Sequence, residues 1–182
     1  MAEEWVDGTG TGKKAKVNVR NRVAVSAANY SESRLIAAQD ANTFLWTTSA
    51  SQATGSYAIY IQNTSTTHRL IIDKVTCSSV LTGFFELYQV SGTASGTVIT
   101  GKNSNLTSGN PAAATSFGGV SGLTDAGRLD HMRLPALGRA TMELQDIVIL
   151  GANDAIAVKY TGGTDTVDII ITGYYKPISE LK

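Results

Sequence analysis

Between Ile147 and Tyr175 the chain reads IVILGANDAIAVKYTGGTDTVDIIITGYY, and its apolar residues fall at every second position. Ile156, Val158 and Tyr160 alternate with Ala155, Ala157 and Lys159, the period-two pattern of a strand with one bulky face. Thr161-Gly162-Gly163-Thr164 supplies permissive backbone for a reversal. Beyond it Val167, Ile169 and Ile171 share one face, and Asp168, Ile170 and Thr172 the other. The stretch predicts three consecutive strands, the last two forming a hairpin. A β-branched hairpin this apolar needs a larger sheet packed on something else.

The same pattern recurs upstream. Ser56–Gln62 puts Tyr57, Ile59 and Ile61 on one face, and Asn63–Thr67 reads as a turn. Arg69–Ser78, with Leu70, Ile71, Ile72 and Val75, predicts a strand buried on both sides. Gly83–Val90 follows, then a loop at Ser91–Gly96 and a short strand at Thr97–Thr100. Residues 101–125 carry almost no charge and read as a long loop. Arg128–Leu134 and Ala140–Leu144 are strands around Pro135–Gly138. Nearer the start, residues 15–26 suggest a small hairpin that turns at Asn18–Asn21, with Val17, Val23 and Val25 on its arms. Leu35–Ala38 is read as strand and not helix because the run is short and uncapped. Asp40–Asn42 is then a turn and Thr43–Thr47 a strand. About eight strands at sandwich spacing follow Ser56, and no segment reads convincingly as a helix. The expectation is all-β: an antiparallel β-sandwich with an extended N-terminal arm, a jelly roll first and an immunoglobulin-like order second. Residues 1–30 make the arm and small hairpin, 31–176 the sandwich and 177–182 a tail.

Composition narrows the function. Fifteen basic and fifteen acidic residues among 182 cancel, so no net field directs the chain to nucleic acid or an anionic membrane. Charged residues are only 16%, well below the usual quarter, which suits equally a bland surface and one that lies against other protein. Cys77 is the one cysteine, which excludes an internal disulfide, and its strand position makes it a small buried residue. Met1–Trp5 has neither basic region nor apolar core, and no apolar run approaches the roughly 20 residues of a membrane span. Synthesis and folding in a cytoplasm is the corresponding expectation.

A search for chemistry finds little. The Gly-rich run from Asp7 to Lys14 fails as a phosphate loop: Asp7 stands where the first Gly belongs, and Lys14 where the Ser or Thr belongs. A dinucleotide fingerprint fails at Lys13. His68 opens a strand, and Asp130-His131 lacks a serine in a strained elbow. Asp154, Asp165 and Asp168 read as charges at strand edges and not as a calcium site. Asn63-Thr64-Ser65 and Asn105-Leu106-Thr107 match glycosylation acceptors but have no secretion signal to make them meaningful. Tyr57, Tyr60, Tyr88, Tyr160, Tyr174, Tyr175 and Trp46 read as core residues ahead of a sugar platform, and one of Tyr174 and Tyr175 must face away from the core. No catalytic, cofactor-binding or metal-binding residue is assigned. Trp5 remains, a lone anchor that either folds back on its own domain or enters a neighbour's groove.

Three stretches resemble small virion proteins of tailed bacteriophages. They are the leader WVDGTGTGKKAKVNVRNRVAV, the segment FLWTTSASQATGSYAIYIQNTSTTHRLIIDKV, and the ending LGANDAIAVKYTGGTDTVDIIITGYY. The resemblance implies a structural component of head or tail, in particular a jelly-roll capsid decoration (cement) protein at the capsid surface of the virion. It implies a homotrimer bound to the phage major capsid protein, with no enzyme activity, nucleic acid or membrane partner. The arm, through Trp5, Val6, Lys13 and Lys14, would make the capsid contact. The alternative is a tail, baseplate or fibre component that binds host glycan through residues 101–125.

Overall fold

A computed structural model of the chain describes residues 41–180, together with Trp5–Val6 and Lys14–Ala15. The chain divides into two compact units, Met1–Ser31 and Glu32–Lys182. In the first, β1 (Trp5–Val6) pairs antiparallel with β2 (Lys14–Ala15), with Trp5 opposite Ala15 and Val6 opposite Lys14. Lys13, the hairpin turn at Asn18–Asn21 and the strand at Leu35–Ala38 lie outside the described residues.

The second unit holds β3 (Thr43–Gln52), β4 (Ser56–Asn63), β5 (His68–Ser79), β6 (Gly83–Val98), β7 (Lys102–Asn103), β8 (Ala114–Leu134), β9 (Gly138–Leu150), β10 (Ala155–Gly162) and β11 (Asp165–Pro177), then a 3₁₀ turn at Ile178–Glu180. One antiparallel sheet runs β7-β3-β11-β5-β9. The other runs β10-β4-β8-β6 and closes on itself, because β10 pairs with both β4 and β6. Set the two-residue β7 aside and number the other eight strands in order. The first sheet then reads first, eighth, third, sixth, and the second reads second, seventh, fourth, fifth. That is the jelly-roll order, and it excludes the immunoglobulin-like alternative.

This topology corrects the local expectation for the C-terminal stretch. β10 and β11 are consecutive but do not pair: β10 belongs to the closed sheet, while β11 lies between β3 and β5. The Gly162-Gly163 segment crosses between sheets. β11 is flanked by β3 and β5, and β10 by β4 and β6, so neither is an edge strand.

The core lies between the sheets. Ile59 and Ile61 of β4, Ile156, Val158 and Tyr160 of β10, and Val167, Ile169 and Ile171 of β11 are buried in it. Two bulges adjust the alternation. Register slips opposite Ala58, so Tyr57 leaves the Ile59–Ile61 face expected for it and packs with Tyr60 in a second cluster. Register slips again at Asp73, which lets Leu70, Ile72, Val75 and Cys77 all reach the main core. Ile71 packs against Tyr174 on the other face, and Tyr175 enters the core beside Phe44. Tyr174 does turn away from the main core, yet it too is buried.

The largest correction concerns residues 91–125. The loop at Ser91–Gly96 and most of the long loop are strand: β6 runs to Val98 and β8 starts at Ala114. Together they form a long hairpin whose register shifts four times. Gly92, Gly119 and Gly122 take positive φ within it. A Cβ at Gly92 would stand 2.6 Å from the Gly122 carbonyl oxygen. The glycines permit the bend, and the bend carries the hairpin across the outer face of β4 and β10, where Val90 and Val120 join Tyr60, Ala155 and Ala157 in the second cluster. Glycine and serine disguised these strands as a loop.

Asn63 ties the end of the sandwich together. It is fully buried, and its Nδ2 donates to the carbonyls of His68 (3.0 Å) and Leu150 (2.9 Å). Its Oδ1 accepts from the Ser65 amide at 3.0 Å. One side chain therefore joins β4, β5 and β9. Asn63→Ala leaves buried backbone groups unpaired and should lower stability by about 2–4 kcal/mol. Urea unfolding would register this as a lower midpoint with an unchanged slope.

Candidate functional site

At the mouth of the closed sheet each of the four strands contributes to one polar cluster. Lys159 of β10 lies over the rings of Tyr57 of β4 (5.3 Å) and Tyr88 of β6 (5.5 Å). Its Nζ donates to Asp125 Oδ2 of β8 at 3.2 Å. The Tyr57 hydroxyl donates to the other oxygen of Asp125. Alongside, Arg128 of β8 pairs with Glu86 of β6 at 2.7 Å, and Tyr88 donates to the second Glu86 oxygen at 3.4 Å. The ammonium is thus sandwiched by two aromatic faces and neutralised by a carboxylate.

The electrostatics follow from these contacts. The Tyr57 hydroxyl, and then Lys159, hold the Asp125 carboxyl below the usual carboxylate range against the opposing effect of partial burial. Burial first, and Asp125 second, push the Tyr57 phenol up. No group in the cluster is a nucleophile held ready by a base, because each carboxylate is engaged by a cation and a hydroxyl. The cluster closes the barrel mouth. Sequence reading missed it, since Lys159 stood out only as a charge in an apolar strand, and Asp125 lay in the supposed loop.

The residues singled out earlier are not brought together. His68 begins β5, with its Nδ1 2.9 Å from Thr67 Oγ1, while His131 lies on β8 in the other sheet. The Asp130 carboxylate accepts from the backbone amide of the next residue, His131, at 2.7 Å. Asp154 caps the Gly151 amide at 2.8 Å. Asp168 accepts from Ser78 Oγ at 3.2 Å. Asp165, expected at an exposed edge, is buried and accepts from the Leu81 amide at 2.7 Å. Among the described residues no three His, Cys, Asp or Glu side chains gather where they could hold a metal ion. Cys77 is buried, and burial raises its thiol well above the usual value. No helix among the described residues is long and apolar enough to cross a membrane.

What remains available is surface. The turns that follow β5 and β8 meet at one end of the domain, where the Leu137 amide donates to the Val80 carbonyl at 3.0 Å. Val80, Leu81 and Leu137 are exposed there, and Leu137 is 83% exposed at φ +55°. At the far end of β9, Ile147 and Ile149 are exposed and line a groove of about 270 Å³ with Leu129, Gln89 and Asp154. A more polar cleft separates β3 from the β6–β8 hairpin and is lined by Thr48, Gln52, Thr97 and Gly119.

No family model, curated protein or solved structure matches the chain.

The ion cluster makes a definite pH prediction. Asp125 has a lowered pKa in the folded state, so its contribution to stability is complete above the ordinary carboxylate value of about 4. It is lost as pH falls through the lowered folded-state value. Asp125 is more than a third exposed, so solvent screening keeps that contribution to about 1 kcal/mol or less. Denaturation of the parent and of Asp125→Asn should differ by this amount at neutral pH and converge in acid.

Proposed function

We propose that this chain is a bacteriophage virion structural protein: a capsid decoration (cement) protein that binds the assembled head lattice as a trimer and stabilises it. The observation that carries the reading is the surface inventory of the jelly roll. The charged and hydroxyl groups of the barrel-mouth cluster are engaged with one another, while large aliphatic side chains stand in water at both ends of β9. Leu137 is the sharpest case. Its left-handed backbone favours Gly or Asn, yet it holds an exposed leucine. Contact with another protein gives such a residue a use; chemistry on a small molecule does not. The resemblance of the leader, middle and C-terminal stretches to phage virion proteins supports the same reading.

A cement protein binds the assembled lattice and not free subunits, so it stabilises the lattice by mass action. Three arms on one trimer raise the effective concentration of the second and third contacts once the first has formed. Sparse charge permits close approach of identical copies.

The loop before β8 favours a second reading, a tail, baseplate or fibre component that binds glycan. Residues 104–113 separate β7 from β8. Asn103 donates to the Ala41 carbonyl at 2.6 Å, and Asn105 accepts from the Thr107 hydroxyl at 2.7 Å. Leu106 is presented to solvent by this framework. Copy number separates the two readings, since hundreds per particle means head and a handful means tail.

Heads assembled without this protein provide the direct test. Full-length chain should saturate them and raise the temperature at which they break, whereas chain lacking residues 1–14 should fold but fail to bind. Full occupancy by the truncated chain would discard the arm contact that includes Trp5, Val6, Lys13 and Lys14. Failure of the full-length chain to bind heads would discard the cement role.

A further inference from the structure

We infer that copies of this chain bind one another head to tail, with the Val80–Leu81–Leu137 end of one domain seated in the Leu129–Ile147–Ile149 groove of the next. This names the contact between copies in the trimer proposed above and rests on that reading, but its test requires no capsid.

Each patch has an apolar side chain in water at, or directly after, left-handed backbone. Leu137 sits at φ +55°. Ile147, 80% exposed, directly follows Gln145 and Asp146, at φ +47° and +65°. None of these is glycine, so each position carries a conformational cost. The irregularity at Gln145-Asp146 keeps β9 and β5 in register with the core, yet it leaves Ile147 outside, as the Leu137 turn leaves Leu137.

The patches also differ in charge. Arg133 and Arg139 stand on the two strands joined by the Leu137 turn, with Arg133 5.6 Å over the Phe84 ring. Of the carboxylates on this side, Asp165 is buried and engaged by the Leu81 amide, and Asp168 accepts from Ser78, which lies between it and Arg139 in the ladder. The groove, in contrast, has Asp146 immediately before Ile147 and Asp154 in its lining. An aliphatic knob flanked by guanidinium groups complements an aliphatic groove flanked by carboxylates. Both are present on the same chain, which selects a second copy as the occupant.

Their placement decides the type of interface. Gly138 pairs with Ser79 and Leu150 with Leu70, so the patches lie at opposite ends of β9, roughly 30 Å apart at a strand's rise per residue. Two different patches in contact form a heterologous interface, which closes into a ring or runs on as a filament. A trimer is the smallest such ring beyond a pair. Strand addition at this edge is disfavoured: β9 is the last strand of its sheet, but its ladder with β5 breaks between Glu143 and Val148. The copies therefore meet through side chains.

Sedimentation velocity on the full chain across a concentration series tests this, using Leu137→Asn and Ile147→Thr. Asn tolerates the left-handed backbone, and Thr suits the strand, so both variants should keep the parent circular dichroism and melting. The parent should associate, and each substitution should weaken association about tenfold or more. An equimolar mixture of the two variants should form a one-to-one complex, because the knob of one and the groove of the other are intact. A parent that stays monomeric at every concentration overturns the inference. So do variants that assemble like the parent, or a mixture that yields no complex. Association that survives both substitutions and disappears on removing residues 1–14 would assign the contact to the arm. Head binding is read separately, so loss of the cement role and loss of this interface are distinguishable.

Discussion

The sheet β10-β4-β8-β6 has to bury both of its faces. β4 and β10 are apolar on each side: Ile59, Ile61, Ile156 and Val158 turn to the main core, while Tyr60, Ala155 and Ala157 turn the other way. A flat four-stranded sheet would leave that second face in water. The β6–β8 hairpin removes the problem by bending over it and closing the sheet. The bend needs Gly92, Gly119 and Gly122 because backbone passes too near for a side chain, as the approach of Gly92 to the Gly122 carbonyl illustrates. Much of the rest follows from this closure, including the polar cluster at the barrel mouth and the position of the loop before β8.

Closure also determines what the polar groups do. Once four strands converge, Lys159, Asp125, Tyr57, Glu86, Arg128 and Tyr88 are brought within reach of one another and satisfy one another. Asn63 and Asp165 are similarly occupied with backbone amides and carbonyls at two other junctions. Groups engaged in this way stabilise the frame and have little capacity left for chemistry on a substrate. The apolar side chains left outside, at the two ends of β9, have no such internal partner and are available for contact with other protein.

Strand identity was legible wherever alternation was strong. Ser56–Gln62 was evident from period-two alternation and Arg69–Ser78 from a continuous apolar run, while of the three strands expected after Ile147 the first is the end of β9 and the other two are β10 and β11. Legibility failed where bulges and glycines intervened. One extra residue at Ala58 turned Tyr57 to the other face, a shift that strict alternation cannot express. The strand from Ala114 to Leu134 was hidden because its first half is small, polar and glycine-rich, the composition of a loop. The candidate surface was hardly legible at all. An exposed leucine and a buried one look alike in sequence, and Leu134 and Leu137 lie three positions apart with opposite fates.

By itself the sequence determined an all-β sandwich, the absence of an internal disulfide and the lack of any net field. These depend on residue type and short-range period, which the chain carries locally. Only the tertiary structure decided that β10 and β11 part into different sheets, that the glycine-rich segment is a bent hairpin, and that Asp125 meets Lys159. Each of those depends on contacts between segments tens of residues apart, chosen by which faces must be dry at the same time.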